Sequence, residues 1–182
     1  MTRIFLLRHA NAYNENGEQD PESPLIGNGP KQAERLAKRL MNATIEFSFY
    51  SPYIRTKQTA DAFAKATGLK IVEDDRLKEV GSSDWPSPET FCDPKTLLDF
   101  KKTQDIVEDV FLEIVARHKN KTVALFTHGN WIRTLLSRIL EGGPEIFTHF
   151  VISTASITIV DILDSGFRNI VTVSDGAHDF LL

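Results

Sequence analysis

The chain has 182 residues, 41% of them hydrophobic and 25% charged, with a formal net charge of −4. This length fits one domain with a full core, and an acidic balance with no Lys/Arg block argues against a nucleic-acid partner. The apolar run near the N-terminus is too short for a signal-peptide core and no later run is long enough to span a membrane, so no membrane partner is expected; the single Cys92 suits a reducing compartment, and the expected location is the cytoplasm.

Residues 3–7 read as a buried first strand that stops abruptly at Arg8-His9. Residues 11–29 are polar and rich in Asn, Glu, Gly and Pro, a long loop of the kind that is usually functional. Pro30 sits where a first helical residue should be, with Asn28 or Gly29 as cap. Ala33, Leu36, Ala37 and Leu40 follow at helical spacing, which predicts a helix over 30–41. Residues 45–50 form an aromatic-rich strand ending in Ser51-Pro52. A helix over about 54–66 follows, with Gly68 just past its end, and 70–72 is a further strand. Residues 79–96 carry Gly81, Pro86, Pro88 and Pro94 and cannot be regular throughout. A short helix is expected to about residue 102 and a second over 105–118. The apolar strand 122–127 ends at His128-Gly129, and the spacing predicts a helix over 131–140, broken by Gly142-Gly143-Pro144. Strands at 156–162 and 169–173 flank a turn at Asp164-Ser165-Gly166, which predicts a hairpin. The pattern implies a three-layer α/β sandwich with a mostly parallel central sheet and an antiparallel edge. No repeat, low-complexity tract or domain boundary is visible, so residues 1–182 are read as a single domain.

Chemistry-bearing residues share one address. In an open α/β sheet, ligands bind beyond the carboxyl ends of the strands. Arg8-His9, Arg55 at the start of the second helix, Glu79 after the third strand and His128 at the end of the fourth all fall there. A guanidinium is a fork of donors suited to phosphate, and a neutral imidazole is a workable nucleophile. Helix N-termini attract anions, and Gly129 would let the backbone approach a ligand closely. Taken singly, Arg55 and Glu79 read as surface charges and His128 as a core histidine. Their common position at strand ends makes coincidence a poor explanation. No Cys/His cluster or paired-histidine spacing is present, and His118, His149 and His178 are scattered, so no metal and no cofactor is expected.

Leu7-Arg8-His9 resembles the Leu-x-Arg-His-Gly signature of the histidine phosphatase superfamily, the phosphoglycerate-mutase-like fold. Pro24-Leu25-Ile26-Gly27-Asn28-Gly29-Pro30-Lys31-Gln32-Ala33 is similar to its Pro-Leu-Thr-x-x-Gly-x-x-Gln-Ala segment. Ser51-Pro52-Tyr53-Ile54-Arg55-Thr56-Lys57-Gln58-Thr59-Ala60 resembles its Ser-Pro-x-x-Arg-x-x-Gln-Thr-Ala segment. Leu77-Lys78-Glu79, Thr127-His128-Gly129-Asn130-Trp131-Ile132-Arg133 and Thr154-Ala155-Ser156-Ile157 resemble its acidic region, second histidine box and late strand. The resemblance implies that His9 is the nucleophile that becomes phosphohistidine. It implies that Arg8, Arg55 and His128 hold the phosphoryl oxygens, with Asn14 as an extra phosphate ligand. Glu79 would donate a proton to the leaving oxygen and then act as base for water. Departures are Ala10 for the family's Gly, Ile26 for its Thr, and Ser82-Ser83-Asp84-Trp85-Pro86 for its Gly-rich pattern.

Between Gly81 and the helix near Asp105 there is little room for a substrate-capping insertion, which disfavours mutase activity. The expected function is a metal-independent phosphatase acting on a small phosphomonoester. The alternatives are a protein phosphohistidine phosphatase, whose substrate would be a phosphoprotein, a phosphoglycerate mutase, and a non-catalytic phosphate-binding protein. Glu79 favours esters, because a phosphoramidate leaves without a general acid.

Overall fold

The computed structural model describes residues 1–13, 17–82, 85 and 87–177. Six strands form one sheet: β1 (Thr2–Arg8), β2 (Phe47–Tyr50), β3 (Ile71–Glu73), β4 (Thr122–Thr127), β5 (Ile157–Ile162) and β6 (Arg168–Asp175). Their order is β3-β2-β4-β1-β5-β6. β3, β2, β4 and β1 run parallel, and β5 turns antiparallel against β1 and carries β6 antiparallel in turn. The sequence expectation of a mostly parallel sheet with an antiparallel edge matches this arrangement.

Side chains alternate between the two faces of the central strands. Ile4, Leu6, Val123 and Leu125 face one layer of helices, and Phe5, Leu7, Ala124 and Phe126 face the other. The first layer is α3 (Pro94–Arg117) and α4 (Gly129–Ile139), contributing Val107, Phe111, Ile132 and Leu135. The second is α1 (Gly29–Leu40) and α2 (Ile54–Thr67), contributing Ala33, Leu36, Ala60 and Phe63. Gly68 ends α2 at φ +74°, in the left-handed region that favours glycine.

Several boundaries differ from the sequence reading by a residue or two, and three differences concern the helices around the site. α3 is one continuous helix where two were expected. No breaker interrupts it near Thr103-Gln104, and the buried Gln104 amide donates to Ser137 Oγ (3.0 Å) and the Gly142 carbonyl (2.9 Å), so the polar residue costs the helix nothing there. α4 starts at Gly129 rather than 131, with His128 as an extended N-cap. A further short helix, α5 (Pro144–Phe147), follows the glycine pair.

Much of the family-like sequence between β1 and α2 is scaffolding for the loop that leaves β1. Asn11 N donates to Gln32 Oε1 (2.9 Å), Ile26 N to the Asn11 carbonyl (3.0 Å), and Leu25 N to Gln58 Oε1 (2.7 Å). Ala10 N donates to Thr59 Oγ1 (3.0 Å). A Cβ on Gly29 would lie 2.1 Å from the Asn11 carbonyl oxygen, so only glycine lets α1 begin this close to the loop. Gly29→Ala should therefore displace that loop and destabilise the protein by about 1–3 kcal/mol, the usual range for overpacking. Urea denaturation measures it, and an unchanged midpoint would remove Gly29 from the scaffold.

Candidate active site

Strand register assembles the site. Arg8 pairs with Thr127 across β1 and β4, so His9 and His128, each the next residue along, emerge side by side. Their ring centroids lie 5.2 Å apart. Tyr50 pairs with Phe126 across β2 and β4, which brings Ser51 to the same edge. Thr127 Oγ1 donates to the Leu77 carbonyl (2.7 Å) and so ties the segment that carries Glu79 to the end of β4.

His9 is fully buried. Its Nδ1 lies 2.8 Å from the Ala10 carbonyl oxygen. A carbonyl only accepts, so Nδ1 carries the proton and Nε2 carries the lone pair. Nε2 is buried without a partner among the described residues. Burial, together with the Arg8 and Arg55 charges, holds the imidazole well below its usual pKa, which keeps it neutral.

The cations are held by oxygen atoms that are not carboxylates. Arg8 donates to the Ile152 carbonyl and to the Tyr13 hydroxyl. Its Cζ would sit 3.3 Å from a Cβ on Gly129. Gly129 thus leaves room for the Arg8 side chain, and it also lines the cavity described below. Arg55 is only 2% exposed, which corrects its reading as a solvated helix-start residue. It donates to the Asp20 carbonyl (2.6 Å) and lies with its Cζ 4.8 Å from the Tyr53 ring centroid. Burial lowers its pKa.

His128 is fully buried as well, and both ring nitrogens are engaged. Arg55 Nη2, which can only donate, lies 3.3 Å from Nδ1, and Nε2 lies 2.8 Å from Ser51 Oγ and 3.3 Å from Thr56 Oγ1. Burial first, then the neighbouring His9 and arginines, holds this ring well below its usual pKa too. Glu79 Oε1 accepts from Val80 N (3.1 Å) and from Trp131 N (3.1 Å), in the first turn of α4. Desolvation pushes its carboxyl above the ordinary range, against the opposing pull of Arg8 and these amides.

Arg8, Arg55 and Glu79 line one cavity of about 660 Å³, together with Tyr13, Asn130 and Arg133. The structure thus brings together His9, Arg8, Arg55, His128 and Glu79. Asn14 lies outside the described residues, as does Asp84. Ser51 opens the Ser-Pro-x-x-Arg segment without having been given a role of its own, and Tyr13 has no local signal; only the fold puts it here. Asn130 and Arg133 fall inside the second histidine box without having been given a role. Their signal is position: both sit in the first turns of a helix that opens on the site. Among the described residues no group of three or more His, Cys, Asp or Glu side chains is placed to hold a metal ion, and no helix is long and apolar enough to cross a membrane.

The two depressed histidines link stability to pH. Below their usual value near 6.5 the unfolded chain binds protons that the folded site refuses. Stability therefore falls as pH falls from about 6.5 toward the folded values, by up to about 1.4 kcal/mol per pH unit for each ring. Glu79, raised above 4.5, acts in the opposite sense but is common to wild type and a histidine variant. His128→Asn should show a shallower loss between pH 6.5 and 5 in urea titrations. Parallel slopes would mean that His128 is not buried neutral.

Phosphoserine phosphatase 1 of Hydrogenobacter thermophilus is 26% identical over 195 residues, covering 94% of this chain and 90% of the relative. The mitochondrial serine/threonine-protein phosphatase PGAM5 of Xenopus tropicalis is 28% identical over 171 residues; the match takes in 90% of this chain and 60% of that longer protein. A phosphoserine phosphatase of Entamoeba histolytica, in complex with phosphoserine, has the same fold, with a TM-score of 0.84 at 21% identity over 100% of both chains. Residues 4–175 match the histidine phosphatase superfamily, branch 1. Because that match runs from β1 to the end of β6, the chain belongs to this superfamily and is a phosphoric monoester hydrolase of its phosphoglycerate-mutase-like kind.

Proposed function

We propose that the protein is a metal-independent phosphatase that hydrolyses a small phosphomonoester through a phosphohistidine on His9. The observation that carries this reading is the state of His9: neutral, its Nδ1 proton committed to the Ala10 carbonyl, its Nε2 lone pair unpartnered beside two arginines. The two relatives named phosphoserine phosphatase support a small ester as substrate. We read the chain as a single domain of this type.

Phosphoryl transfer depends chiefly on positioning and charge stabilisation. Arg8 and Arg55 supply the charge. The Nε2 lone pair attacks phosphorus, the ester P–O bond breaks, and the leaving oxygen takes the proton of Glu79. The positive charge on the phosphorylated ring is stabilised through Nδ1–H and the Ala10 carbonyl. Water then attacks phosphorus, Glu79 accepts its proton, and the P–N bond electrons return to Nε2. His128 contributes through Nδ1. When Arg55 Nη2 turns to a phosphoryl oxygen, the ring can take a proton at Nδ1 from solvent and release its Nε2 proton to solvent; Ser51 Oγ–H then donates to Nε2 and Nδ1–H to the same anion. Tyr13, whose oxygen accepts from Arg8, keeps its own proton for the phosphoryl group. A phosphate-binding role for Asn14 rests on the resemblance alone.

Acid-quenched labelling from a phosphorus-labelled ester, run in chelator, tests the nucleophile. Wild type should trap a phosphoenzyme and His9→Ala should trap none; label persisting in the variant, or wild-type labelling that needs added metal, overturns the reading.

Glu79 separates esters by leaving group. An alkyl phosphate needs its proton and a nitrophenyl phosphate does not. Glu79→Gln should slow the first step on the alkyl ester by about 10²–10⁴-fold and affect the aryl ester much less, as read by burst kinetics. Equal losses would make Glu79 an orienting group, and no loss on either would favour the phosphohistidine phosphatase alternative.

A further inference from the structure

Three guanidinia line the cavity, and the phosphoryl chemistry accounts for two. Arg8 directly precedes His9, and Arg55 reaches His128 Nδ1 (3.3 Å) beside it. Arg133 lines the same cavity as Arg8 and Glu79. It stands in α4, one turn beyond Gly129.

Arg133 is fixed in place without being neutralised. Its Nη1 donates to Asn130 Oδ1 (3.2 Å). The same Asn130 donates through Nδ2 to the carbonyls of Val80 (3.3 Å) and Ser82 (3.0 Å). The guanidinium carbon lies 5.9 Å from the Phe147 ring centroid, and Phe147 belongs to a packed cluster with Trp85 and Phe100. Arg133 Nε is buried without a hydrogen-bond partner. Among the described residues no carboxylate stands within ion-pair distance of this side chain. Glu18 and Asp20 also line the opening, but both are exposed, and Asp20 Oδ1 is occupied by the Glu22 amide and Ser23 Oγ.

A buried donor with no acceptor is costly, and a guanidinium is a planar fork that matches a carboxylate. A phosphomonoester dianion offsets two arginines and leaves the third. We propose that Arg133 determines specificity by selecting phosphomonoesters whose alcohol portion carries a carboxylate. This rests on the phosphomonoesterase reading and adds the substrate class. The carboxylate would lie against α4 while the ester oxygen faces Glu79.

2-Phosphoglycolate and ethyl phosphate differ only in carrying a carboxylate or a methyl group on the same carbon and make the test. Binding is measured by calorimetry on His9→Ala, which cannot turn the esters over, and turnover is measured separately on wild type. His9→Ala should bind phosphoglycolate about 10- to 100-fold more tightly than ethyl phosphate, the range of a charge-assisted hydrogen-bonded pair. Adding Arg133→Gln should abolish that preference while leaving ethyl phosphate affinity within about threefold. Adding Arg133→Lys instead, which keeps the charge, should retain part of it. Equal affinities in His9→Ala, no binding of either ester, or a preference that survives Arg133→Gln would overturn the proposal. A wild type that hydrolyses neither ester while His9→Ala still selects phosphoglycolate through Arg133 would overturn the phosphatase reading and leave this assignment standing. Hydrolysis of both esters with no selectivity in binding would do the reverse.

Discussion

Everything at this site depends on two parallel strands ending in step. β1 and β4 are neighbours in space although most of the chain separates them, and their pairing stops at Arg8 and Thr127. A slip of one residue would send each following side chain to the opposite face. In the observed register the two imidazoles face one another. Ser51 arrives from β2 by the same in-step pairing, and the first turn of α4 comes with its amides pointing at Glu79. The apolar alternation that locks the sheet between its helix layers is therefore also what fixes the geometry of the candidate site. The core and the site are one construction.

A single environment shifts the histidines and the glutamate in opposite directions. Burial among guanidinia pushes both histidines toward the neutral, lone-pair-bearing form. Desolvation in the same wall pushes Glu79 toward the protonated, donating form. In the proposed reaction the first state suits a group that attacks and the second a group that gives up a proton. Groups whose environments push their pKa values apart are the mark of assigned acid and base roles.

Much of this was legible in the chain. Abrupt ends of apolar runs at Arg8-His9 and Thr127-His128 marked the sheet edge, and the alternation of strands and helices carried the topology. Where single residues misled, the reason was long-range packing. Arg55 looks like a solvated helix start until Asp20 and Tyr53 close over it. Gln32, Gln58 and Thr59 matched a family pattern with no visible purpose, and prove to be acceptors for the amides of the loop beyond His9. The junction near Gln104 could not be read because its hydrogen-bond partners lie across on Ser137 and Gly142. Tyr13 had no local mark at all, and Ser51 was marked only as part of a motif. Arg133 was quoted within a motif, but its lack of a counter-charge is a fact of three dimensions.

The guanidinia that line the cavity lack carboxylate partners among the described residues, and that has a consequence beyond the chemical step. An anion in the cavity does for the fold what an internal ion pair does elsewhere. On the proposed function, inorganic phosphate carries the same oxygens as the substrate and would bind the folded chain in preference to the unfolded one. It would then add to stability as the logarithm of its concentration over its dissociation constant. The product of the proposed hydrolysis would thus also be a stabiliser and a competitor. A cell rich in free phosphate would hold this protein firmer and slower; one depleted of it would leave the protein looser, with its cavity open to substrate.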